Sequence, residues 1–320
     1  LDAAAGLPVN LAYDFDEDVL GNHWISSFSA GAYAVSLKDQ VISWLGPEQG
    51  YSGLTYDVFT DTAGKVWLAT NDTVLVYDTR SKRSKTVVTN TSVRVNNFPS
   101  AGMIGRDGMI WMGTNSVGVL LLDPNGMMAD HFSEKDGLAS KDVWGIAEDS
   151  KRRIWLATYK GINIYDPALQ RLFLFRFPPG VAANEHRQIV PIGPDIFFLG
   201  TVGGFAVIDL PAGTITSYNT AWNKINSISF MGFPDSSGNF WFVGGNGLLV
   251  YNPRTDSLRQ FDENAGLISN LVFITRKDSR GRVWLCTERG TVLIDPLSGT
   301  YRTITDANGL TGNYSSMILE

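Results

Sequence analysis

The sequence predicts an all-β protein assembled from one repeated unit, and three observations carry that prediction. Large aromatic residues recur at a nearly constant interval: Trp24, Trp67, Trp111, Trp155, Phe198, Trp241 and Trp284 are separated by 43, 44, 44, 43, 43 and 43 residues. Polar residues keep step with them. An acid lies six positions before the anchor at Asp18, Asp61, Asp149, Asp235 and Asp278, threonine three after it at Thr70, Thr114, Thr158, Thr201 and Thr287, and Asp or Asn eleven after it at Asp78, Asp166, Asp209, Asn252 and Asp295. Thirdly, the clearest copy, Gly137 to Phe175, reads as four short strands with a turn between each pair. Four-stranded repeats of about 40–50 residues are the signature of a β-propeller. The expected fold is a seven-bladed β-propeller of four-stranded antiparallel blades over 1–305. Residues 306–320 supply the first strand of a following repeat or a ring-closing strand.

In the clearest copy the first strand is Val143 to Glu148, followed by a polar turn at Asp149, and the second is Ile154 to Thr158. A glycine turn at Gly161 leads into Ile162 to Tyr165. Asp166-Pro167 ends that strand, because proline cannot donate to a ladder, and Leu172 to Phe175 makes the fourth. Copy one (about 6–46) is irregular and lacks the usual Tyr-Asp ending. Copies two (about 53–88), three (about 97–132), six (about 226–261) and seven (about 270–304) keep the pattern, while copy five (about 184–218) replaces the anchor by Phe198. One such sheet cannot cover both its apolar faces, so neighbours must stack.

Composition narrows the functional classes. The 320 residues are 44% hydrophobic and 18% charged, as in a well-cored globular protein. A net charge of -6 argues against nucleic acid or an anionic membrane surface as a partner, since both need a basic footprint. The densest basic run, Arg80 to Lys85, reads as a solvated outer edge whose charges discourage edge pairing. The single cysteine, Cys286, lies in an expected strand as a small buried hydrophobe. No apolar run approaches a membrane span and no charged-then-apolar signal segment begins the chain. Both termini fall within the repeat pattern, as in a segment of a longer protein.

The motifs resemble the two-component regulator propeller repeats. Gly-Leu-x-x-Asn stands at Gly6 to Asn10, Gly266 to Asn270 and Gly309 to Asn313. Asp-x-x-x-Arg-x-Trp-x-x-Thr stands at Asp278 to Thr287 with Asp149 to Thr158 alike, and Tyr-Asp/Asn-Pro at Tyr165 to Pro167 and Tyr251 to Pro253. The resemblance implies a periplasmic sensor region of a hybrid two-component system or related inner-membrane histidine kinase, of the kind that detects oligosaccharides. It also implies other domains of the same receptor as partners, and a homodimer.

Catalytic signatures are sparse. The sequence holds no Gly-x-Ser-x-Gly elbow, P-loop, dinucleotide fingerprint or His-Glu-x-x-His, and its three histidines, His23, His131 and His186, fall in different copies. No cofactor or metal is expected. The repeated acids read as turn residues. Ligand contacts are sought where the repeat is broken. Asn recurs fourteen before the anchor at Asn10, Asn97, Asn184 and Asn270, with Lys141 in copy four; these read first as structural turn residues whose side chains ring the mouth of the channel. Three residues later Tyr13, Tyr56, Trp144, Phe230 and Phe273 are expected to be core between sheets, but copy five has Arg187 there, after Glu185 and His186. A buried Arg needs a polar or charged partner. Trp222 is an aromatic off the period, and Tyr159-Lys160 and Glu288-Arg289 occupy equivalent second-to-third-strand turns. Aromatic faces beside hydrogen-bonding groups suit a sugar. The candidate ligand residues are therefore His186, Arg187, Trp222, Tyr159, Lys160, Glu288, Arg289, Asn97 and Lys141.

The expected function is a non-catalytic, extracytoplasmic ligand-sensing propeller for oligosaccharides. A propeller lyase or glycoside hydrolase is the first alternative, and a structural protein-interaction module the second.

Overall fold

The computed structural model describes residues 12–27, 31–36, 41–45, 55–61, 63–70, 74–87, 99–178, 186–201, 204–219, 232–235, 237–244, 247–252, 254–277, 282–287, 289–295 and 300–304. The chain divides into two compact units, Leu1–Arg176 and Phe177–Glu320. Each is a stack of four-stranded antiparallel sheets, the blades of a propeller, and each anchor has a sheet of its own.

The first unit holds four sheets. Sheet one is β1 (Ala12–Glu17), β2 (Asn22–Ser27), β3 (Gly31–Ser36) and β4 (Val41–Leu45). Sheet two is β5 (Thr55–Thr60), β6 (Lys65–Thr70), β7 (Val74–Asp78) and β8 (Arg83–Val87). Sheet three is β9 (Pro99–Ile104), β10 (Ile110–Thr114), β11 (Val119–Leu122) and β12 (Met128–Phe132). Sheet four is β13 (Val143–Glu148), β14 (Ile154–Thr158), β15 (Gly161–Asp166) and β16 (Arg171–Phe175), the strands that the sequence predicts to within a residue.

The second unit holds three. Sheet five is β17 (His186–Gly193), β18 (Ile196–Thr201), β19 (Gly204–Asp209) and β20 (Thr214–Asn219). Sheet six is β21 (Gly232–Pro234), β22 (Phe240–Gly244), β23 (Gly247–Asn252) and β24 (Ser257–Phe261). Sheet seven is β25 (Val272–Lys277), β26 (Val283–Thr287), β27 (Gly290–Ile294) and β28 (Tyr301–Ile304). Residues 306–320 lie outside the described residues. Among the described residues no helix is long and apolar enough to cross a membrane.

Strands pair in chain order within every sheet, and the first strands of successive sheets pack on one another, β1 on β5, β5 on β9 and β9 on β13. The middle strands are buried throughout, as in β10 and β14, because sheets cover them on both faces. Fourth strands form the outer edge. In β8 Arg83 and Lys85 are exposed, which is the edge role expected of the basic run. Cys286 lies in β26 as expected; its side chain is outside the described residues.

The anchors fill the space between sheets, and their polar atom dictates the turn before them. Trp24, Trp67, Trp155 and Trp241 are buried, and each donates its indole N–H to the acid six residues earlier: to Asp18 at 2.8 Å, Asp61 at 3.3 Å, Asp149 at 3.1 Å and Asp235 at 2.8 Å. The other carboxylate oxygen accepts the backbone N–H groups two and four residues on, so one acid closes the turn and satisfies the ring. In sheet four these are Lys151 and Arg153, both at 2.9 Å, and Arg153 Nε adds a 2.6 Å bond. Copy three has Gly105 at this position. Asp107 takes over inside the same turn, accepting the Met109 amide at 3.0 Å; a Cβ on Gly105 would lie 2.7 Å from its Oδ1.

Burial alone would raise the Asp18 and Asp235 carboxyls, but the indole and turn donors outweigh it and hold both below the usual carboxylate range. The acids eleven after the anchor close the third-to-fourth-strand turns as expected: Asp78 accepts Arg80 and Ser81, Asp166 accepts Ala168 and Leu169, and Asn252 accepts Arg254 and Thr255.

Asp149→Ala is expected to cost about 3 kcal/mol in urea unfolding, because it orphans a buried indole and two turn amides. Combined with Trp155→Phe, which removes the N–H, the loss should be clearly less than additive; additivity would separate the acid from the ring. A depressed folded pKa contributes stability present above the unfolded carboxylate pKa of about 4 and lost as pH falls through the folded value. Urea midpoints between pH 6 and 2 should therefore fall on acidification, and less steeply in Asp18→Asn with Asp235→Asn. An unchanged slope in that variant would contradict the assignment.

Candidate functional site

The site is built where three loops of the first unit meet. Gly137 ends a short 3-10 turn, Glu134–Asp136, in the left-handed conformation at φ 95°, and Leu138 then plugs into the core. Buried Asn163 on β15 fastens this loop: its Oδ1 accepts the Ala139 amide at 2.8 Å and its Nδ2 donates to the Gly137 carbonyl at 3.0 Å. Gly266 and Leu267 repeat the arrangement before sheet seven after a turn at Glu263–Ala265. There Asn270 has the structural role read for it, accepting the Glu263 amide at 2.7 Å.

Second-to-third-strand turns are closed by the recurring threonine. Thr114 Oγ1 accepts the Val117 amide at 3.0 Å and donates to the Gly118 carbonyl at 2.9 Å, and Thr158 Oγ1 donates to Gly161 at 2.8 Å. Two backbone bonds join these turns to the entering strand: Gly118 N to Lys141 O and Tyr159 N to Asp142 O, both 2.9 Å. The two loop types thus emerge on one face, as the repeat predicts.

The first strand itself carries the decisive irregularity. In six sheets its pairing with the second strand slips by one residue, at Tyr13–Asp14, Tyr56, Ser100, Trp144, Arg187 and Phe273. A β-bulge leaves its extra residue unpaired and re-aims its side chain. Trp144 was expected as core between sheets; it is half-buried instead, because the bulge takes it out of the strand's alternation. Its indole N–H donates to Asn115 Oδ1, and the exposed Tyr159 ring meets it edge-on, 5.5 Å away at 82°. Among the described residues Ser116 Oγ, in the Asn115 loop, makes no hydrogen bond. The result is a pair of aromatic rings on the surface with an amide beside them.

Of the residues singled out in the sequence, the structure groups Tyr159, Lys160 and Lys141 on this face. Lys141 is exposed. Lys160 Nζ lies 4.0 Å from Glu134 Oε1, and in sheet seven Arg289 lies 3.6 Å from Glu263 in the same register. These exposed pairs brace the loop at a worth of about 0–1 kcal/mol each. His186 is fully buried and stacks on Phe177 at 5.1 Å. Arg187 is the bulge residue of β17, and its side chain lies outside the described residues, as do Asn97, Trp222 and Glu288. The sequence reading missed Asn115 and Glu134 as site groups and misplaced Trp144. A polar residue directly after the threonine was the available signal for Asn115.

A second titratable cluster lies in unit two, where Tyr218 Oη bonds both Tyr251 Oη and Asp256 Oδ1, and Tyr251 Oη donates to Asp256 at 3.2 Å. Burial pushes both phenols up; the hydrogen bond to Asp256 pushes Tyr218 further. Among the described residues no group of three or more His, Cys, Asp or Glu could hold a metal ion.

Comparison with known proteins agrees with the motif reading. Residues 137–160 match the family model described as "Two component regulator propeller", and the chain carries that repeat. The matched stretch runs from the Gly137 turn through Trp144, Asp149 and Trp155 to Lys160. Over 244 residues, 64% of this chain, the sequence is 26% identical to "Histidine kinase P4" of Formosa agariphila, of which it covers 16%. An extracellular domain assigned to a hybrid two component system of B. thetaiotaomicron superposes with a TM-score of 0.59 at 20% identity, covering 96% of this chain and 47% of that one. Virginiamycin B lyase from Staphylococcus aureus superposes at 0.62 with 13% identity, covering 79% and 84%. At these identities both structures establish the propeller fold alone. The chain spans about one-sixth of the curated relative's length.

Raised phenol pKa values contribute stability fully present below the ordinary value near pH 10 and lost as pH rises through the folded values. Tyrosinate absorbance is expected to show Tyr218 ionising only as the fold is lost, with one late-titrating group fewer in Tyr218→Phe. A wild-type titration in which every tyrosine ionises near pH 10 before the circular dichroism changes would refute this.

Proposed function

We propose that this chain is a non-catalytic, ligand-reading propeller of an extracytoplasmic two-component receptor, and that it takes an oligosaccharide on the bulged face of sheet four. The observation that carries the reading is the bulge at Trp144, which brings its ring against exposed Tyr159 beside Asn115. A pyranose presents an apolar ring face and a hydroxylated edge, and an aromatic surface with an amide at its rim complements both. The repeat and the relationship to a histidine kinase support placement in a signalling receptor. Signalling then requires the bound sugar to favour one arrangement of the receptor over another. The location that follows from this reading is the periplasm, as part of an inner-membrane receptor, and the partners are the remaining receptor domains and a second protomer.

The test is a thermal-shift screen of the chain against defined oligosaccharides, followed by calorimetry on the best sugar. A selective rise in melting temperature is expected, with the sugar recovered unchanged. Trp144→Ala should weaken binding at least about tenfold, the value of one lost stacking face with its indole contact, while Trp144→Phe retains part of it. Consumption of the sugar would replace the sensor reading by an enzyme. Binding undiminished in Trp144→Ala would move the site off this face.

A further inference from the structure

The fifth sheet breaks the anchoring rule at both ends, and a cavity lies at the break. Its anchor is Phe198 and the position six before is Ile192, so the indole and its carboxylate are both missing. In the first unit the tyrosine of the following sheet packs on the anchor indole: Tyr77 lies 5.2 Å from Trp24, and Tyr165 lies 5.2 Å from Trp111, with Phe132 completing a box of three rings. In unit two, Tyr251 and Tyr218 hold the places of Tyr165 and Phe132, with centroids 4.9 Å apart. Phe198 is one ring short of an indole and packs on Phe240 at 4.2 Å and Phe205 at 5.2 Å.

Between sheets five and six, beside Ile192 at the acid's position, lies a cavity of about 220 Å³. Sheet five contributes Ile192, Ile196, Val207, Asp209, Thr214 and Thr216, and sheet six Asn239 and the rings of Phe240 and Tyr251, so apolar and polar groups line it together. Asp209 is held in place by the Ala212 amide, which it accepts at 2.9 Å.

We propose that this cavity is a binding site for a flat aromatic heterocycle of about indole size that carries a ring N–H. An apolar cavity of about 150 Å³ accepts benzene, so this one has room for a second fused ring. The apolar side chains take the ring faces and edge. Asp209, Thr214, Thr216 and Asn239 supply oxygen acceptors, so the ligand remakes in trans the acid–indole contact that four other repeats make within the chain. Placed polar groups beside apolar ones are what orient a small ligand. The site belongs to unit two and is independent of the carbohydrate reading.

Calorimetry and thermal melting of the whole chain with indole as the probe test this. Saturable binding with a rise in melting temperature is expected, at least several-fold weaker for 1-methylindole, which has no N–H to donate. Phe198→Trp with Ile192→Asp should restore the pattern: it should melt higher without probe and bind indole at least tenfold more weakly. Val207→Phe fills the cavity from the neighbouring strand of the same sheet, should likewise block indole, and serves if the double variant does not fold. Absence of saturable indole binding, equal affinity for 1-methylindole, or indole binding undiminished in a filled, folded variant overturns the proposal.

Discussion

A buried indole N–H has to be satisfied, and much of this protein follows from that constraint. Packing a tryptophan between two sheets removes about 200 Å² from water, worth at most about 5 kcal/mol by area. The same packing takes a donor away from water, and leaving it unmet costs about 1–3 kcal/mol. The acid six residues earlier meets it, and being a carboxylate it needs donors too. The backbone amides of the turn between first and second strands supply them, at Asp18, Asp61, Asp149 and Asp235 alike. Core and turn are therefore one cooperative element.

The exception in sheet five obeys the same rule. Where the ring has no N–H, at Phe198, the acid is absent too and Ile192 stands there. Where the acid is displaced, glycine at Gly105 leaves room for Asp107 to reach back into the turn. In sheet five ring and acid change together, and something else is built there. Two adjacent sheets, five and six, then carry a cavity, and two buried phenols share a hydrogen-bond network with the exposed Asp256 carboxyl.

The candidate face of sheet four depends on a different device. Loops fastened by Asn163, Thr114 and Thr158 border this face, and there the bulge in β13 takes Trp144 out of the strand's alternation. What that position holds varies from sheet to sheet: Tyr56, Ser100, Trp144, Arg187, Phe273. The backbone geometry is repeated while the chemistry is not, which is the condition for a scaffold that reads a ligand.

The sequence by itself determined the strands, the four-strand unit and the turn residues, because those rest on local rules: period-two burial, proline at a strand end, an acid at a fixed offset from a ring. The outer edge at Arg83 and Lys85 and the turn role of Asn270 were legible for the same reason. Only the tertiary structure decided where side chains at irregular positions go. Trp144 reads as core by its alternation, yet a one-residue slip against β14 puts it half in solvent beside Tyr159. His186 reads as a ligand group, yet it is buried against Phe177. Register between strands and the space between sheets are set by contacts across tens of residues, and no local pattern encodes them.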